Sequence, residues 1–60
     1  MYYSVTLYFS NWHHSWSIME NFDCLYDSLK WVNKMALDNP NDTLCSVSIV
    51  RRNKIWKKSN

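Results

Sequence analysis

The sequence predicts an α+β fold: a two-layer sandwich, with one helix on one face of an antiparallel sheet, in the order strand-strand-helix-strand-strand. Three patterns predict it. Apolar and polar residues alternate from Tyr2 to Ser10, apolar residues recur at helical spacing from Leu25 to Ala36, and alternation returns from Thr43 to Arg51. Sixty residues make one domain, 1–60, and a domain of this length buries only roughly 60% of its unfolded surface.

In the first strand Tyr3, Val5, Leu7 and Phe9 point one way, and Tyr2, Ser4, Thr6, Tyr8 and Ser10 point the other. The polar and aromatic stretch Asn11-Trp12-His13-His14 is expected to form a hairpin loop, after which Ser15 to Asn21 alternates again with Trp16 and Ile18 on one side. Asp23 suits an N-cap, and Asp27 suits the positive dipole end of the first helical turn. Asn39-Pro40 forbids continuation, so the helix is expected from about Cys24 to Asp38. Its core stripe is expected to be Leu25, Leu29, Val32 and Ala36.

Cys45, Val47 and Ile49 alternate with Ser46, Ser48 and Val50 in the third strand, which places the first three on the core side. A tight turn at Arg52-Asn53 would pair this strand with a short fourth one, Lys54 to Lys58, setting Trp56 opposite Ile49. The other sheet face, with Tyr2, Thr6, Tyr8, Ser46 and Ser48, is expected to stay wet or to meet a partner. There is no glycine, so turns must be built from Asn, Asp and Ser.

Composition narrows the function. Hydrophobic residues make up 47% of the chain and aromatics 17%, too apolar for a disordered tail. No apolar run approaches the ~18 residues of a membrane span, and the alternating N-terminus does not look like a signal peptide, so a cytoplasmic location is expected. All five acids lie between Glu20 and Asp42, whereas five of the seven cations fall in the last ten residues, which makes the C-terminal end a basic pole.

No cofactor and no metal is expected. Cys24 and Cys45 lie 21 positions apart, unlike the close pairs of zinc sites, and both read as reduced thiols buried in the core. Adjacent His13 and His14 point in different directions. A glycine-rich phosphate loop cannot form without glycine, and a one-helix, one-sheet domain has little room for a catalytic pocket, so the chain is not expected to be an enzyme. Binding is the remaining class. On the helix, Trp31 and Met35 fall roughly 100° off the expected core stripe, with Lys34, Asp38 and Asn39 nearby; Trp31, Met35, Lys34 and Asn39 are therefore candidate partner-binding residues.

The assembled pattern resembles the Dmd family, small antitoxins of T-even-type bacteriophages that inhibit host RNase toxins of the RnlA and LsoA kind. The resemblance spans almost the whole chain. It rests on the overall length, on the alternating first strand with Phe9 three residues before Trp12, on the helix segment Asp27-Ser28-Leu29-Lys30-Trp31, and on the apolar strand Leu44 to Val50 running into a charged turn. The chain departs from the family pattern in its basic C-terminal hairpin and in Pro40. The resemblance implies a stoichiometric inhibitor that occludes a toxin's catalytic site, with Trp31 at the contact; Trp12 joins the candidates. The alternatives are a small RNA or single-stranded DNA binder, using exposed aromatics and the basic C-terminal hairpin, and a subunit that pairs with itself as a homodimer.

Overall fold

β1 (Tyr2–Ser10) alternates and lies at the centre of the sheet, so its inward side chains are covered most completely. The computed structural model describes residues 1–53 and shows a small α+β fold of three antiparallel strands and one helix. β2 (Ser15–Phe22) and β3 (Thr43–Arg52) flank β1, giving the order β2-β1-β3. The expected fourth strand, Lys54 to Lys58, and its Trp56 lie outside the described residues.

The register carries the alternation across all three strands. Leu7 stands opposite Ile18 on β2 and Val47 on β3, and Phe9 stands opposite Trp16 and Leu44. Val5, Leu7 and Phe9 are fully buried, with Trp16, Ile18, Phe22 and Leu44 packed around them. The rings of Phe9 and Trp16 stack with centroids 4.5 Å apart. β1 is the first alternating stretch of the sequence; Val5, Leu7 and Phe9 of its expected inward set form the core, while Tyr3 is only half-buried and Ser4, expected on the wet face, is buried.

β3 departs from the expected pattern at its start. Consecutive β1 residues Tyr8 and Phe9 pair with Ser46 and Leu44, so Cys45 is an extra residue in a bulge. The inserted residue breaks the period of two. Leu44, not Cys45, packs on the core, while Cys45 is exposed and its thiol lies 3.5 Å from the Thr43 carbonyl.

Cys24 is exposed as well, because it occupies the N-cap, one residue outside α1 (Leu25–Asp38). Both thiols are free, but neither is buried. Asp23 does not cap the helix, and Cys24 makes no side-chain capping bond. Both thiols are therefore expected to react with a disulfide reagent in the native protein, nearly as fast as in denaturant. If they react only after unfolding, their assigned positions are wrong.

The helix is rotated from the expected stripe. Ser28 is fully buried, and Trp31, Val32 and Met35 pack against the core, whereas Leu25, Leu29 and Ala36 are exposed. Ser28 gives the physical reason: a side chain this small lets the helix approach β1 closely, and its hydroxyl is satisfied by donating to the Cys24 carbonyl at 3.2 Å. Trp31 meets Phe22 of β2, ring centroids 5.4 Å apart, and the helix packs over β1 and β2. No helix among the described residues is long and apolar enough to cross a membrane.

Candidate functional site

The β1–β2 turn is built on one asparagine. Asn11 Oδ1 accepts the backbone N–H groups of His13 (2.8 Å) and His14 (3.0 Å), while the Asn11 N–H donates to the His14 carbonyl at 2.9 Å. This side-chain mimicry of a backbone turn closes the hairpin without a positive φ angle. Trp12 is left at the tip, 88% exposed, its ring 3.7 Å from that of His13.

Asp42 ties this tip to the far end of the helix. One carboxylate oxygen accepts from Asn11 Nδ2 at 2.6 Å and the other from Trp16 Nε1 at 3.3 Å, while the Asp42 N–H donates to the Asn39 carbonyl at 3.1 Å. Asn39 in turn donates from Nδ2 to the Met35 carbonyl at 2.7 Å, satisfying a carbonyl that the end of the helix leaves open. Asp42 thus links the tip of the hairpin, through its carboxylate, to the helix C-terminus, through its backbone N–H. Among the described residues the two most exposed large apolar side chains, Trp12 and Leu37 (80% exposed), sit on the two segments that Asp42 joins.

The five residues singled out in the sequence do not form one patch. Trp12 is at this corner, and Lys34 is exposed on the helix. Trp31 and Met35 are half-buried at the edge of the core, and Asn39 is half-buried as a capping residue. Sequence reasoning missed the outer side of the helix, where Tyr26, Leu29 and Leu37 stand exposed and the Lys30 ammonium lies 5.3 Å from the Tyr26 ring centroid. The signal was present in the sequence: apart from the polar stripe of Asp27, Lys30, Lys34 and Asp38, apolar residues spread over most of the circumference of α1, too wide an arc for the sheet to cover, so some stay in water.

A hot-spot contact needs large apolar groups that are exposed in the free protein and held in place. The corner of Trp12 and Leu37 meets both conditions, because the segments that carry them are hydrogen-bonded and both side chains are open to solvent. Among the described residues no three His, Cys, Asp or Glu side chains are grouped so as to hold a metal ion. Comparison of the chain with models of known families, with curated proteins and with solved structures finds no match.

Proposed function

We propose that the protein acts by binding another protein, an RNase toxin of a phage's bacterial host, and that it inhibits this partner one-to-one by covering its catalytic site. The observation that supports a binding role is the fixed corner bearing exposed Trp12 and Leu37, continued along the helix by Leu29 and Tyr26. The resemblance to the Dmd antitoxins supplies the partner class. Such an inhibitor needs no turnover, only an apolar contact large enough to keep RNA from the toxin. Trp31 enters this reading as a support beneath the outer side of the helix, not as its tip.

The test is a titration of an RnlA- or LsoA-type ribonuclease with the purified chain. Activity is expected to end at one equivalent. Trp12→Ala is expected to weaken inhibition by about 2 kcal/mol, roughly 30-fold, with an unchanged melting temperature, because the ring makes its contacts outside the fold. Loss of inhibition with no loss of stability supports the assignment; inhibition indifferent to both Trp12→Ala and Leu37→Ala removes the corner from the interface.

A single-stranded nucleic acid is the second reading, favoured by the Trp12 ring beside His13 and by exposed Tyr8 on the open sheet face. Its binding would fall steeply with salt as counterions are released, whereas an aromatic protein contact would respond weakly.

A further inference from the structure

We infer that Asp42 is a positioning residue for the Trp12 contact: its carboxylate anchors the hairpin tip through Asn11 and so presets the ring that the partner meets. This rests on the reading of Trp12 as a contact residue. Asp42 acts through Asn11, and both of its oxygens are already bonded within the chain, to Asn11 and to Trp16.

Donors and acceptors at this junction fix the residue type at position 42. Asn11 Oδ1 faces the backbone N–H groups of His13 and His14, which can only donate, so the other end of the same amide, Nδ2, is left to supply donors to whatever stands beyond it. Asp42 stands there, 31 residues along the chain, at 2.6 Å. The indole N–H of Trp16 also can only donate, and it reaches the second carboxylate oxygen at 3.3 Å. Position 42 therefore has to accept twice at its two terminal atoms. An ionised aspartate does so, whereas an asparagine of the same shape brings one acceptor and one donor group.

Trp12 lies inside the turn that Asn11 closes. Oδ1 holds the turn from within and Nδ2 ties it to Asp42, so the carboxylate sets where the 88% exposed ring stands relative to the rest of the fold. A short bond to a charged acceptor is among the stronger ones, and here it spends the ordering of the tip before the partner arrives. The Asp42 backbone N–H, which donates to the Asn39 carbonyl, is untouched by a change of side chain. The tip can thus be released while the helix end, with Leu37, stays as it is.

Asp42→Ala is read first without a partner. By nitrogen relaxation NMR the backbone amides of Trp12 and His13 are expected to lose order, while those of β1 and of Leu37 keep theirs. Against the ribonuclease of the titration above, Asp42→Ala is expected to weaken inhibition about tenfold. In a Trp12→Ala background it is expected to weaken inhibition no further, whereas with Leu37→Ala the two losses add; a merely structural loss would add to both. Asp42→Asn, one acceptor short, is expected to weaken inhibition in the wild type but not in a Trp16→Phe background, where no indole N–H claims an acceptor. That pair also serves should Asp42→Ala not fold. Tip amides unmoved by Asp42→Ala overturn the inference, as does a loss that adds in full to Trp12→Ala, or an Asp42→Asn loss equal in both backgrounds. A wild-type chain that leaves the ribonuclease active removes the toxin reading, and the relaxation result then decides the role of Asp42 by itself.

Discussion

A Phe9→Ala chain is expected to show no cooperative thermal transition above room temperature. Among the described residues Phe9 is one of three fully buried apolar side chains, and its ring stacks on Trp16 while Leu44 packs against the same core. Truncating a buried Phe costs about 3–5 kcal/mol, and the lost ring pair belongs to that cost. At about 0.05–0.15 kcal/mol per residue the whole chain holds only about 3–9 kcal/mol, so one substitution removes most of its stability. The check is circular dichroism on heating, with Tyr8→Ala as control. Tyr8 is the next residue along the same strand but is exposed, and its loss is expected to cost under about 1 kcal/mol. A sharp transition in Phe9→Ala within a few degrees of the wild type would mean that the core is elsewhere.

The second large effect separates two helix residues. Trp31→Ala is expected to cost about 3 kcal/mol and lower the melting temperature by more than about 12 °C, whereas Leu29→Ala is expected to cost under about 1 kcal/mol. Trp31 packs on Phe22 and on the Val5-Leu7-Phe9 core, while Leu29 is 50% exposed. The sequence stripe of Leu25, Leu29, Val32 and Ala36 leads to the opposite ranking, so the pair discriminates sharply between the two rotations of the helix. Measuring both variants on one instrument is enough; a reversed order would falsify the packing described here.

Why that rotation was hidden, while the sheet was not, follows from what each pattern encodes. A strand has two faces, and in β1 one of them, Tyr3 to Phe9, is uniformly apolar, so the choice of inward side is forced. α1 is apolar on several lines, and both Leu25-Leu29-Ala36 and Trp31-Val32-Met35 satisfy helical spacing. What selects between them is Ser28, which the apolar spacing leaves out and whose small side chain is fully buried. The burial of Ser28 is a packing result that periodicity does not encode. Cys45 was misplaced for a related reason, since a bulge shifts the alternation by one and nothing between Thr43 and Val47 announces it.

The candidate site was half legible. Trp12 in a polar loop stands out because no core is within its reach, and it is exposed at the hairpin tip. Leu37 does not stand out, because its exposure depends on the same rotation of the helix. The support beneath both, Asp42 holding Asn11, Trp16 and Asn39, joins residues distant in sequence, and only the folded chain brings them together.

The position of β1 between its two partners sets an order of events in time. Its pairing with β2 closes a four-residue turn, a step of microseconds, and can precede the helix altogether. Its pairing with β3 must wait for the helix and the segment to Asp42 to be gathered in, a far larger loop with a higher entropic barrier. The central strand is thus half-made early and completed last. Until β3 arrives, Val5, Leu7 and Phe9 lie open along one edge of a two-stranded ribbon, and the rate of that last closure decides how long the chain is exposed to aggregation.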